Sequence, residues 1–221
     1  MAAAASPSPH RRRDELRSGA AGRLHRILGL ARLKRGLLIV ISGPSGVGKD
    51  TLIRRLLEVD KNLVYSVSGT TRQPRPGEKP DDNYTFLTRE QFEALIAGDA
   101  FLEHATYNGH LYGTFRDRVE RARSEGRDVV LKIDVQGAEQ VRRLMPDAVF
   151  IFVVAPSEQE LERRQVERGS ESPQDLASRR QIAGREMTYA AEYEHVVTND
   201  DVERAVGEIR QIIEDARRRV T

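Results

Sequence analysis

The sequence predicts an α/β fold, a parallel central sheet with helices on both faces, stacked in three layers. Three observations carry that prediction. From residue 37 onward, apolar runs of strand length alternate with stretches of helical period. The first run leads directly into a glycine-rich loop and then a helix. One long segment, residues 69–112, breaks the alternation.

The first strand, 37–42, is the pure hydrophobic run Leu37-Leu38-Ile39-Val40-Ile41. Gly43-Pro44-Ser45-Gly46-Val47-Gly48-Lys49 follows it, and Thr51-Leu52-Ile53-Arg54-Arg55-Leu56-Leu57 is amphipathic, so a helix spans about 49–58. Strand, glycine loop and helix in that order form a phosphate-binding loop. Glycines let the backbone curl so that several N–H groups converge on phosphate oxygens. The helix N-terminus adds partial positive charge and Lys49 a full one. The chain therefore binds a nucleoside triphosphate on a P-loop NTPase core. The hydroxyl usual after the lysine is absent. Asp50 stands there, and it either holds Mg²⁺ through water or complements the first turn of the helix. Thr51 is the nearest hydroxyl for the metal.

Further strands are read at 63–67, 129–133, 148–154 and 194–197, and further helices at 115–125, 136–144, 157–168, 175–192 and 201–219. Residues 69–112 are rich in Thr, Pro, Gly, Tyr and charge, with strand-like alternation at Tyr84-Thr85-Phe86 and a helical pattern at 89–97. They read as an inserted substrate-binding subdomain.

A chain of 221 residues suits one α/β domain with a short appendage. It has no cysteine, which excludes disulfides and cysteine metal sites. No apolar stretch approaches the roughly 20 residues that span a bilayer, so a soluble protein is expected. Residues 1–36 hold nine Lys/Arg against Asp14 and Glu15, a net +7, whereas the remainder holds 27 basic and 32 acidic residues, a net −5. The pI near 9.0 thus reflects a basic tail and not a nucleic-acid-binding body. The low-complexity start of this 1–36 extension is expected to be disordered. Leu24, Ile27, Leu28, Leu30 and Leu33 set a basic amphipathic pattern over 22–35. A dispensable extension, an organelle transit peptide and a membrane-surface or RNA contact all remain open for it. Cytoplasm is the default compartment, and an organelle the alternative if the extension is a transit peptide.

The second informative segment is Ser66-Val67-Ser68-Gly69-Thr70-Thr71-Arg72-Gln73-Pro74-Arg75-Pro76-Gly77-Glu78. Two guanidinium forks three residues apart, in a loop stiffened by prolines, suit a terminal phosphate. Arginines merely solvated in a Pro/Gly loop are the alternative. This segment is followed by Tyr84-x-Phe86, Tyr112-Gly113-Thr114 and Ile133-Asp134-Val135-Gln136-Gly137. With the phosphate loop, that order of motifs resembles guanylate kinase, from about Arg35 to the C-terminus.

The resemblance implies a core of 37–67 and 115–221, a GMP-binding insertion at 68–114 and a mobile lid at about 165–180. It implies ATP as phosphoryl donor with Mg²⁺, and the reaction ATP + GMP ⇌ ADP + GDP, with dGMP also accepted. Small molecules are then the partners, with no nucleic acid and no membrane. Arg72, Arg75, Tyr84 and Tyr112 would hold the GMP phosphate, while Ser68, Glu103 and Thr114 would read guanine. Glu103 has its own chemical rationale. Guanine presents N1–H and an exocyclic amine on one edge and a carboxylate accepts from both, whereas adenine has no donor at N1. Glu78 would position the arginines. Asp134, closing an apolar strand, would lie near Mg²⁺, reaching it through water, or else cap helix 136–144.

Arg164 and Arg168 lie four apart on one helical face, before the polar stretch Ser170–Asp175 and then Arg180. By the same resemblance these three would bring charge to the phosphate in flight. Ordinary surface pairing is the alternative in a chain with 31 Arg and 5 Lys. Asn199 matches a position near the adenine. Two residues depart from the family pattern: Asp81 where glycine is usual, and Lys132 where an acid is frequent. Two rivals remain. A scaffold module of the same fold would lose Lys49 and other ATP-site residues, and a kinase of ribose bisphosphate would lack the guanine-reading set.

Overall fold

The structure, a computed structural model, describes residues 35–75, 77–82, 84–167 and 182–219. In chain order the elements are β1 (Leu38–Ser42), α1 (Lys49–Val59), β2 (Leu63–Tyr65), β3 (Gly69–Thr70), β4 (Thr85–Phe86), α2 (Arg89–Ala97), β5 (Phe101–Tyr107) and β6 (His110–Phe115). There follow α3 (Arg116–Ser124), β7 (Asp128–Lys132), α4 (Val135–Leu144), β8 (Val149–Val154), α5 (Glu158–Glu167), β9 (His195–Thr198) and α6 (Val202–Arg219). Residues 182–188 are helical and continue into a 3₁₀ turn, Tyr189–Glu192.

Strands β2-β7-β1-β8-β9 form one parallel sheet. Its central strand shows why the first apolar run has no polar alternation. Ile39 and Ile41 enter one core cluster, and Leu38 and Val40 enter the other. A strand covered on both faces needs apolar side chains at every position. The first cluster contains Leu52, Ile53 and Leu56 of α1 with Ile209 and Ile213 of α6, and the second contains Ala138 and Val141 of α4. The three-layer architecture read from the sequence is the one observed.

The insertion is a second sheet, β4-β3-β6-β5, with its own core of Phe92, Phe101 and Phe115. The sequence reading anticipated α2 and the alternation at β4 but not the long hairpin β5–β6. Its strands, Phe-Leu-Glu-His-Ala-Thr-Tyr and His-Leu-Tyr-Gly-Thr-Phe, carry polar residues on the cleft side, which blurs the apolar period. The turn itself is a strong hairpin signal: Asn108 and Gly109 both have positive φ, 47° and 79°, as a two-residue primed turn requires. Gln140 of α4 joins hairpin to core, donating to the His104 carbonyl at 2.8 Å and accepting from its N–H at 3.2 Å.

The residues just before β1 are bonded to α3. Gly36 N–H donates to the Arg123 carbonyl at 2.9 Å, and Arg123 Nε donates back to Gly36 at 2.8 Å. The readings made for residues 1–34, and for the 168–180 part of the lid with Arg168 and Arg180, fall outside the described residues. Among the described residues, no helix is long and apolar enough to cross a membrane.

Candidate active site

A cleft of about 280 Å³ lies where the C-terminal ends of β1 and β7 meet the inserted sheet. One wall is the loop between β1 and α1, with Gly43, Ser45, Gly46, Gly48, Lys49 and Asp50 on its surface. Gly43, Gly46 and Gly48 all have positive φ (137°, 94° and 99°), the curled conformation that turns backbone N–H groups toward an anion. Lys49 Nζ folds back onto the carbonyls of Gly43 and Pro44.

The loop is braced from behind by three side chains. Asn199, 4% exposed at the end of β9, donates to the Val47 carbonyl at 2.8 Å, and Gln165 donates to the Ser45 carbonyl at 2.8 Å. Arg164 pairs with Glu160 at 2.7 Å and reaches the Val47 carbonyl at 3.4 Å. Asn199 and Arg164 thus support the loop and do not line the cleft, and Gln165 is a support that sequence reasoning missed. Val47 is buried in the core, Pro44 is buried, and Thr51 is exposed on α1; none of the three lines the cleft.

The opposite wall carries the arginine loop. Arg72 makes a two-pronged ion pair with Glu78, at 3.0 and 2.9 Å, and Glu78 also accepts from the Arg75 N–H at 2.8 Å. Burial alone would raise the Glu78 pKa, but Arg72 and the Arg75 N–H hold it below the usual carboxylate value. Glu78 thus ties Arg72 to the backbone at Arg75. The Arg72 guanidinium sits 5.4 Å from the Tyr84 ring, and Tyr84 meets Tyr112 edge-on at 5.8 Å. Arg72, Arg75, Tyr84 and Tyr112 all line the cleft.

Between the walls lie three carboxylates. Glu103 of β5 is 4% exposed and accepts from Thr114 Oγ1 at 2.6 Å, across the pair that the hairpin register sets opposite each other. Burial pushes its pKa up to about 7, with Asp134 adding to the rise and Thr114 opposing it. A Cβ on Gly137 would stand 2.3 Å from Glu103 Oε2, so α4 must present a bare backbone there. Asp134 caps α4, accepting from Gly137 N–H at 2.9 Å, and also faces the cleft. Its pKa is raised by burial against the pull of those N–H groups and Lys49. Glu186, which sequence reasoning missed, is 5% exposed, and its Oε2 has no hydrogen-bond partner among the described residues. Burial first, then Asp134, push its pKa up to about 7 against Lys49. Nothing in its local sequence, Gly-Arg-Glu-Met, marks it out. Ser68, buried at 5%, completes the lining beside Glu103.

A family model described as guanylate kinase matches residues 35–216. The chain belongs to the guanylate kinase family. A guanylate kinase of Caldanaerobacter subterraneus is 50% identical over 180 residues, covering 81% of this chain and 87% of the relative. One from Thermus thermophilus is 50% identical over 185 residues, covering 84% of each. The crystal structure of guanylate kinase from Anaplasma phagocytophilum superposes with a TM-score of 0.70 at 34% identity, covering 82% of this chain and 86% of that one.

Both departures from the guanylate kinase pattern have a structural account. Asp81 adopts the left-handed conformation, φ 62°, that makes glycine usual there, and its carboxylate accepts from Thr85 Oγ1 at 2.6 Å. Lys132 pairs with Asp50 at 2.5 Å, so the unusual residue at each position answers the other.

Proposed function

We propose how this cleft carries out its family's reaction. The chain phosphorylates GMP with ATP as donor. The loop around Lys49 receives the triphosphate, with Ser45, Gly46 and Gly48 turning their backbone toward it. Arg72, Arg75, Tyr84 and Tyr112 hold the acceptor phosphate, and Glu103, Ser68 and Thr114 read guanine; dGMP, which keeps the same base and phosphate, is accepted too. Phosphoryl transfer asks little covalent work of a protein. Catalysis comes from lining up the acceptor phosphate with the donor, neutralising charge with Lys49, and excluding water. No general base is needed, because the acceptor oxygen is already anionic.

The residues fit a Mg²⁺ ion. Such an ion keeps most of its waters and relies on phosphates plus one or two carboxylates. Asp134 and Glu186 are those carboxylates, and the unpartnered Glu186 Oε2 supports the assignment. When bound, the ion neutralises developing charge on the transferred phosphate. Outside the described residues, Arg168 and Arg180 complete the proposed cationic set, and Arg164 serves it by bracing the phosphate loop. We place the reaction in the cytoplasm, which a cysteine-free chain suits.

The observation that carries the reading is a buried carboxylate, Glu103, beside an arginine–tyrosine phosphate grip in the same cleft as the phosphate loop. The test is ADP production from ATP and Mg²⁺ with GMP, dGMP, AMP, UMP, CMP or ribose 1,5-bisphosphate as acceptor. Turnover confined to GMP and dGMP is expected. Turnover with AMP or with ribose bisphosphate would remove the guanine assignment.

A further inference from the structure

Asp50, on the first turn of α1, and Lys132, the last residue of β7, are 82 positions apart in the chain and meet at the cleft. The two ends of the pair are unlike. The Asp50 side chain is 61% exposed, whereas that of Lys132 is 15% exposed. The ammonium lies 5.1 Å from the Tyr84 ring and 5.9 Å from that of Tyr65. Arg72 lies 5.4 Å from the same Tyr84 ring, so two cations flank one tyrosine of the acceptor grip.

Burial disfavours the charge on Lys132, but Tyr65, Tyr84 and Asp50 together outweigh it, so the residue presents a fixed ammonium at the cleft wall. An ammonium has three donors; Asp50 takes one at 2.5 Å and the Tyr65 hydroxyl lies against another. What enters this cleft is phosphate, which makes a cation at its wall useful. We propose that Lys132 contacts the acceptor phosphate and that Asp50 is the positioning residue that holds it there. The pair thereby ties the first turn of the donor-side helix to the tyrosine that grips the acceptor. This rests on the acceptor site assigned above.

A purely structural ion pair acts on GMP binding only through the fold, so Asp50→Asn, which strands the more buried ammonium, would then cost at least as much binding and stability as Lys132→Met. A ligand-contacting end is not equivalent to its holder. GMP binding is therefore measured by calorimetry on the full chain without ATP, alongside thermal unfolding, for Lys132→Met, Asp50→Asn and Lys132→Arg. One lost charge-assisted hydrogen bond predicts about 10- to 100-fold weaker GMP binding in Lys132→Met. Asp50→Asn keeps the ammonium and is expected to lose much less, and Lys132→Arg to recover most of the affinity. The swapped pair, Asp50→Lys with Lys132→Asp, keeps an ion pair for the fold and is expected to bind GMP at least about tenfold more weakly.

A loss from Asp50→Asn at least as large as that from Lys132→Met, or wild-type affinity in the swap, would overturn the proposal. Arg72→Ala separates the two levels of inference. If it weakens GMP binding while Lys132→Met does not, Lys132 alone is wrongly assigned. If neither variant weakens it, the acceptor site falls and this proposal with it.

Discussion

Replacing Glu103 by glutamine removes one proton acceptor and almost no volume, and it acts on stability and specificity in opposite directions. The carboxyl is 4% exposed and its pKa is pushed from 4.5 to about 7. At about 1.36 kcal/mol per pH unit, ionising it in place costs the fold about 3 kcal/mol relative to the unfolded chain. The sign follows from proton count. Between pH 4.5 and about 7 the folded protein holds this proton and the unfolded chain does not, so stability falls as pH rises through that window and the loss is complete above it. Glutamine never ionises. The stability difference between Glu103→Gln and the parent, measured by denaturant unfolding without nucleotide, should thus shift by about 3 kcal/mol in favour of the variant between about pH 4.5 and pH 8. Guanine recognition moves the other way. The carboxylate accepts from both N1–H and the amine, whereas an amide accepts from one and turns its own N–H₂ toward the other. Leaving one buried donor unpaired costs about 2–3 kcal/mol, so KM for GMP should rise about 30- to 150-fold at about pH 8 with KM for ATP nearly unchanged. A coupled ADP assay reads both constants. GMP's own phosphate titrates near about pH 6 with either protein, so the comparison isolates residue 103. A stability difference that stays flat with pH, or an unchanged KM for GMP, would refute the reasoning.

Three further outcomes are expected. Gly137→Ala places a Cβ 2.3 Å from Glu103 Oε2; the carboxylate must move, and KM for GMP should rise at least about tenfold while the α4 helix, gaining a better helix former, persists by circular dichroism. Asp81→Ala forces alanine into the left-handed conformation and deletes the acceptor for Thr85; chemical unfolding should show a loss of about 1–3 kcal/mol. Glu186→Gln should weaken Mn²⁺ binding to the ADP complex, read by electron paramagnetic resonance, with ADP affinity in metal-free buffer unchanged or improved, because a buried carboxylate has been taken away from the phosphates. Equal Mn²⁺ affinity in variant and parent would exclude Glu186 from the metal's surroundings.

Much of this protein was legible in one dimension because its determinants are local. The run Leu37–Ile41 has to be a strand buried on both faces, and the glycines and Lys49 that follow have to curl around an anion, whatever surrounds them. Arg72, Arg75 and Glu78 stand within one short loop, so their pairing is also a matter of near neighbours. The tertiary structure decided what depends on distant segments meeting. Asp50 and Lys132 read separately as two oddities, and only the adjacency of α1 and β7 makes them a pair. Asn199 and Arg164 match nucleotide-site positions by motif, yet the packing of β9 and α5 behind the loop turns them onto its carbonyls. Glu186 has no local signature; its environment is made of Ser45, Lys49 and Asp134, which approach it from other elements. Burial and the field of neighbouring charges are sums over three-dimensional space, so the chain order specifies the groups while the fold assigns them their protons and partners.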